Sequence, residues 1–221
     1  MKIAVVMPAY NVEDVIAEVV DKARRYADVV VVSIDKKTKD NTAALAKQRG
    51  AEVIEGGDGK GETLLCGLRY AINKDVDVII TMDSDGQHKP EEIPKLIQAI
   101  NNADIVNGSR FLGKITTSKI NILGNIGLIL IINLLSFGLS FRNWTSDTQS
   151  GFRAYKKQAM TMLLPHLSAK KYQFDSEVIY EAGRLGLKIK DVPITVDIAR
   201  KGVTVKDGLK TAWFIFKKLF V

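Results

Sequence analysis

Along roughly the first 110 residues, short apolar runs alternate with segments whose apolar positions recur every three or four residues. Ile3–Met7, Val29–Ile34 and Val76–Met82 are β-branched runs of strand length, of the kind buried on both faces. Glu13–Tyr26 sets Val15, Ile16, Val19, Val20 and Ala23 at helical spacing. Asp40 is placed to cap a helix running to Gly50, and Glu52–Glu55 follows as a short strand. Gly59–Lys74 and Pro90–Asn101 are predicted helices, and Asp104–Asn107 a strand. Strands and helices alternating at this length predict a mostly parallel sheet with helices on both faces. Ligands of such sheets sit beyond the carboxyl ends of the strands.

The pattern then changes. Ile120–Phe141 carries no charge and is long enough to span a bilayer, but Asn121, Asn125, Asn133, Ser136 and Ser140 interrupt it. A span would also set the later polar motifs across the membrane from the earlier ones. The reading preferred is a helix against the domain and partly in the bilayer surface, flanked by Lys114, Lys119 and Arg142. The alternative is an ordinary buried helix. Phe174 to Gly183 reads as a helix, and Val192–Val196, with Pro193, as an edge strand. From Lys201 to Val221, Trp213, Phe214, Phe216 and Phe220 are mixed with Lys206, Lys210, Lys217 and Lys218, which suits a second membrane-surface helix.

Composition adds three constraints. The chain has 221 residues, 46% of them hydrophobic, enough for one domain with its own core. Cys66 is its one cysteine, which excludes a disulfide framework; beside Leu64, Leu65 and Leu68 it reads as core. Residues 1–113 carry net −3 and residues 114–221 net +10, so the second half expects an anionic partner: a phosphorylated substrate or an anionic membrane surface. No nucleic-acid-binding signature accompanies the charge, so no nucleic acid partner is expected. The N-terminal run is too short before Pro8 for a signal peptide.

The candidate chemistry is concentrated in Met82-Asp83-Ser84-Asp85-Gly86-Gln87-His88-Lys89. Residues i and i+2 of an extended segment point the same way, so Asp83 and Asp85 are expected to face one volume. Gln87 can add a carbonyl oxygen once Gly86 turns the chain. Three hard oxygen donors suit Mg²⁺ or Mn²⁺ that retains water and a substrate phosphate. His88 is read as orienting the loop rather than as a ligand, and His166 receives no role. Gly59-Lys60-Gly61 lacks the upstream glycine and following Ser or Thr of a phosphate loop. A helix start bringing Lys60 near a nucleotide is still allowed.

Taken together, Met7-Pro8-Ala9-Tyr10-Asn11, Gly59-Lys60-Gly61, Met82–His88, Gly108-Ser109-Arg110-Phe111, Asp147–Tyr155 and Val192-Pro193-Ile194 resemble family 2 glycosyltransferases of the GT-A fold. The dolichyl-phosphate mannose and glucose synthase branch is the most similar. The motifs occur in family order along nearly the whole chain. The resemblance implies one domain, with residues 1–113 binding a nucleotide sugar and residues 114–221 facing acceptor and membrane. It implies inverting transfer of a hexose from a GDP- or UDP-sugar to a polyprenyl phosphate at the cytoplasmic membrane face. Pro8, Ala9 and Tyr10 would contact the base, Ser84 the donor, and Asp83, Asp85 and Gln87 a divalent metal and the diphosphate. Asp85 and Arg110 are the residues expected to matter most to the reaction, with Arg110 approaching the acceptor phosphate. Arg200 and Lys206 would flank the donor diphosphate.

The chain departs from the family pattern in places. Val12 replaces a usual acid, Ser33-Ile34-Asp35-Lys36-Lys37 replaces an acidic pair with Gly-Ser so that Asp35 is the base-reading candidate, and only Lys119 stands near the family's interface-helix cation. Competing readings are a soluble saccharide or protein acceptor, a non-catalytic nucleotide-sugar or membrane-binding module, and a nucleotidyltransferase.

Overall fold

The computed structural model describes residues 1–114, 119–138, 140, 143–196 and 205–220, without the side chains of 114, 119–124, 205 and 206. In chain order the elements are β1 (Ile3–Ala9), α1 (Ile16–Ala23), β2 (Val29–Ile34), α2 (Thr42–Gln48), β3 (Glu52–Glu55), α3 (Lys60–Ala71), β4 (Val78–Thr81), α4 (Ile93–Ile100), β5 (Ile105–Lys114), α5 (Lys119–Phe137), β6 (Arg153–Lys156), α6 (Lys157–Leu163), α7 (Gln173–Arg184), β7 (Ile189–Thr195) and α8 (Val205–Lys218). The strands form one seven-stranded sheet in the order β3-β2-β1-β4-β6-β5-β7.

Alternation along each strand explains the layers. Ala4, Val6, Val31, Ile79, Ile105 and Tyr155 point into a core shared with α3, α5, α6, α7 and α8. Their neighbours Val5, Met7, Val30, Val32, Ile80 and Ala154 point into the other core, against α1, α2 and α4. Successive strand residues face opposite sides, so a run apolar at every position needs cover on both.

Several elements differ from the sequence reading. β6 was not foreseen; it runs antiparallel to both β4 and β5, in the middle of an otherwise parallel sheet. Four residues beginning with Arg153 and ending with Lys156 carry too little pattern to announce a strand. β5 extends to Lys114, so Arg110 stands within a strand rather than after one. The helix expected from Pro90 begins as a 3₁₀ turn, Pro90–Glu92, and becomes α-helical at Ile93. Pro94 has no N–H for the carbonyl of Pro90, so the regular ladder starts later. Asn41, not Asp40, is the N-cap residue of α2, while Asp40 Oδ1 accepts from the Thr42 N–H at 3.1 Å and from its hydroxyl at 2.6 Å. Pro193 lies in the edge strand β7, where a missing donor is tolerated.

In the second half α5 packs on α7 and α8. α8 buries Thr211 and Ile215 and leaves Leu209, Trp213 and Phe216 exposed, with Phe220 just beyond it 76% exposed. α5 exposes Ile126, Leu130, Ile131 and Leu134. Lys218, one of the lysines grouped with the aromatics in the expected membrane-surface helix, does not face outward. It turns inward, 2.5 Å from Glu177 and 2.6 Å from Glu181, and donates to the His166 carbonyl. Among the described residues no helix is long and apolar enough to cross a membrane.

Candidate active site

The carboxyl ends of β1, β2 and β4 lie side by side because these strands are parallel neighbours. Their loops are laced together. The Ser84 hydroxyl donates to the Pro8 carbonyl at 2.7 Å. Asp35 accepts from the Lys37 N–H at 2.9 Å and the Gly59 N–H at 2.7 Å, tying the α3 entry to the end of β2. Ala9 buries its side chain in the core, so only its backbone faces this edge; Tyr10 is exposed beside it. The amides of Gly61 and Glu62 donate to the Lys170 carbonyl at 3.0 and 3.2 Å. That carbonyl takes the α3 donors that an anion at the helix start would use.

Lys60 therefore contributes through its ammonium. Nζ lies 2.9 Å from Asp83 Oδ1 and 3.1 Å from Asp175 Oδ2. Burial opposes its charge, but Asp175 and Asp83 outweigh this and hold its pKa well above the usual lysine range. Burial likewise raises the Asp83 carboxyl, and the Lys60 ammonium reverses the effect, leaving it at about 2. The Asp83 N–H donates to His88 Nδ1 at 2.9 Å, and the imidazole stacks on Phe152 with ring centres 5.2 Å apart. His88 is thus a neutral acceptor that shapes the loop, with burial holding its pKa below the usual range.

Asp83 and Asp85, expected to face one volume, take different partners. Asp85 Oδ1 accepts from the Gln87 N–H at 3.1 Å, and Oδ2 from the Gln87 side-chain amide. Gly86, with φ of 82°, lets the loop double back in this way. Asp85 and Gln87 line an open cavity of about 540 Å³ against α1, shared with Val19, Lys22 and Pro90.

Arg110 forms a bidentate pair with Asp147, Nε to Oδ2 at 2.7 Å and Nη2 to Oδ1 at 2.9 Å. Asp147 is fully buried, and its loop is held by Asp191, which accepts from the hydroxyls of Thr145 at 2.7 Å and Ser146 at 2.6 Å. The same loop is bonded to α5. Asn133 Oδ1 accepts from the Thr145 N–H at 2.9 Å, Asn133 Nδ2 donates to the Thr145 carbonyl at 2.8 Å, and Gln149 Nε2 donates to Asn125 Oδ1 at 3.2 Å. The amides that interrupt the apolar run are its attachment to the site. Arg200 lies outside the described residues, as do the side chains of Lys119 and Lys206.

The sequence reading did not select Asp147, Asp175 or Asp191. Asp147 carried a signal, being the first residue of a motif dense in hydrogen-bonding groups. Asp175 carried none, since its partner Lys60 is 115 residues away.

Residues 4–163 match the profile of glycosyl transferase family 2. The chain belongs to that family. The UDP-N-acetylglucosamine–dolichyl-phosphate N-acetylglucosaminyltransferase of Methanococcus voltae is 33% identical, over 94% of this chain and 92% of its own. The undecaprenyl-phosphate mannosyltransferase of Micrococcus luteus is 30% identical, over 88% of this chain and 83% of its own. Among solved structures, glucosyl-3-phosphoglycerate synthase from Mycobacterium tuberculosis in complex with UDP superposes with a TM-score of 0.77 at 21% identity, covering 100% of this chain and 80% of its own. The same enzyme solved with Mg²⁺ and UDP gives 0.71 at 21% identity, over 99% and 78%. The family 2 glycosyltransferase therefore has the GT-A fold that the motifs implied.

The low Asp83 value has a pH signature. A carboxyl whose folded pKa lies below its unfolded value stabilises the fold above the unfolded value of 3.8, and that stability is lost as pH falls to about 2. With Asp83 29% exposed, the contribution is roughly 2 kcal/mol. The stability difference between wild type and Asp83→Asn, from urea unfolding, should be full near about pH 6 and shrink between about pH 4 and 2. A difference constant across that range would remove the Lys60–Asp83 pair as its source.

Proposed function

We propose that this glycosyltransferase moves a hexose from a GDP- or UDP-sugar to a polyprenyl phosphate, with inversion at the anomeric carbon. The observation that carries the reading is the attachment of α5, apolar on its outer side, to the loop that clamps Arg110. A lipid phosphate needs an apolar surface and a cation close together, and Asn133 and Thr145 join the two here. The names of the M. voltae and M. luteus relatives support the same acceptor class.

Asp83, Asp85 and the Gln87 carbonyl are the residues proposed to hold Mg²⁺ or Mn²⁺. Their donor chemistry fits, being hard oxygen, and Asp83 already carries a cation in the form of Lys60. Two carboxylates and one amide oxygen leave positions for diphosphate and water on such an ion. When bound, such an ion would act as a Lewis acid on the leaving nucleoside diphosphate. An acceptor phosphate with a second pKa near 6 is largely ionised at neutral pH, so the chain need not supply a strong base. Arg110, held in one orientation by Asp147, would align that phosphate, and Arg200 with Lys206 would approach the donor diphosphate. Pro8, Tyr10 and Asp35 are the proposed base contacts, and Ser84 braces their loop.

The test is a panel of labelled UDP- and GDP-sugars offered with a polyprenyl phosphate, with and without chelator. Metal-dependent label in the organic phase is expected from one of them. Label found only on a soluble acceptor would overturn the lipid assignment.

The exposed faces of α5 and α8 are proposed to rest on the cytoplasmic membrane surface as a peripheral attachment. Lys217 Nζ lies 5.3 Å from the Trp213 ring centre, a cation at the edge of an apolar row, as interfacial helices require. The double variant Trp213→Glu, Phe216→Glu should float with vesicles containing phosphatidylglycerol about tenfold less than wild type. Equal flotation would place the lipid contact elsewhere.

A further inference from the structure

We propose that Lys60 is a built-in cation that stands at Asp83 until a divalent ion arrives, and that Asp175 is the carboxylate to which Lys60 then withdraws. The inference rests on the metal assignment made above and concerns what the chain itself does there. One ammonium lies between two carboxylates, 2.9 Å from Asp83 and 3.1 Å from Asp175, and all three side chains are less than a third exposed. Asp83 is an assigned metal ligand. Asp175, on α7, belongs to no motif, and its one described ion-pair partner is Lys60. A lysine displaced from Asp83 without a second anion would be left as an uncompensated, poorly solvated charge, which is costly. Asp175 removes that cost.

The surroundings let the ammonium move while its backbone stays. Lys60 opens α3, whose next two amides are pinned by the Lys170 carbonyl, so displacement must come from the flexible four-carbon stem. Gly151 lies close against the pair. A Cβ there would meet Lys60 Nζ at 3.1 Å and Asp83 Oδ1 at 3.3 Å, tighter than side chains ordinarily pack. The pair therefore sits against bare backbone, and Asp175 is already within reach of the ammonium. The consequence is competition: a divalent ion must displace Lys60 to reach Asp83, so its affinity in the absence of nucleotide is held down.

The experiment measures Mn²⁺ binding to the full chain without nucleotide, by electron paramagnetic resonance of the free ion. Lys60→Gln should bind Mn²⁺ about tenfold more tightly than wild type. Asp175→Asn, which leaves Lys60 with Asp83 alone, should bind it more weakly. In wild type labelled with ¹⁵N at lysine Nζ, the Lys60 ammonium signal should shift as Mg²⁺ saturates, a readout needing no substitution. A Lys60→Gln protein with native circular dichroism that binds Mn²⁺ no more tightly, or a Lys60 signal unmoved at saturation, overturns the proposal. None of these readouts involves sugar transfer. Tightened binding with no transfer to lipid would sink the acceptor assignment alone; transfer with no tightening would sink only this inference. Absence of Mn²⁺ binding in every variant would sink the metal assignment and the inference together.

Discussion

Asp85→Asn should lower metal-dependent sugar transfer by about 10³-fold or more while the protein remains folded. Lewis-acid stabilisation of a leaving group is worth several kcal/mol, and each 1.36 kcal/mol is a factor of about ten in rate. The fold should survive because the Asp85 carboxylate bonds to Gln87, within its own turn. No core element depends on those bonds, and an Asn carbonyl can accept from the same amides. The check is label transfer at saturating Mn²⁺ beside a thermal melt. Full activity in a folded Asp85→Asn protein would refute the ligand assignment.

The second large effect is on stability. Arg153 is fully buried at the start of β6. Its guanidinium donates from Nε to Asn107 Oδ1 at 2.8 Å, from Nη1 to the Asp175 carbonyl at 2.7 Å and from Nη2 to the Thr148 carbonyl at 3.2 Å. One side chain thus joins β5, the Asp147 loop and α7. Arg153→Leu takes the donor from the Asn107 side-chain oxygen, removes one of the bonds to each of two buried carbonyls, and truncates a large side chain in a fully buried site. The expected loss is about 3–5 kcal/mol, read from the urea midpoint. Loss of less than about 1 kcal/mol would mean that water replaces the guanidinium. Because Asp175 hangs from the same group, a surviving Arg153→Leu protein should also hold Lys60 less firmly.

What could be read from the sequence follows from the range over which each signal acts. β2 and β3 were located to the residue because an apolar β-branched run, or a short run between turn residues, is a local signal. The double-sided core follows from the same runs. β6 was not legible, since its strand character comes from pairing with β4 and β5 rather than from its own four residues. At the site, Asp83, Asp85, Gln87, Arg110 and also Lys60 and Asp147 stood in motifs, but Asp175 and Asp191 did not. Asp175 and Asp191 become meaningful only when the fold brings them to Lys60 and to Ser146. Lys218 is the complementary case. Its neighbourhood in the sequence groups it with the other lysines of the tail, yet buried Glu177 and Glu181 draw it inward.

The two outer strands have a consequence for how copies of the chain behave when crowded. One border of the sheet is four residues long and begins and ends with glutamate, and the other carries Pro193. Neither offers a long, neutral ladder onto which a neighbouring molecule could add. A protein with exposed apolar helix faces can therefore be concentrated without sheet-to-sheet polymerisation.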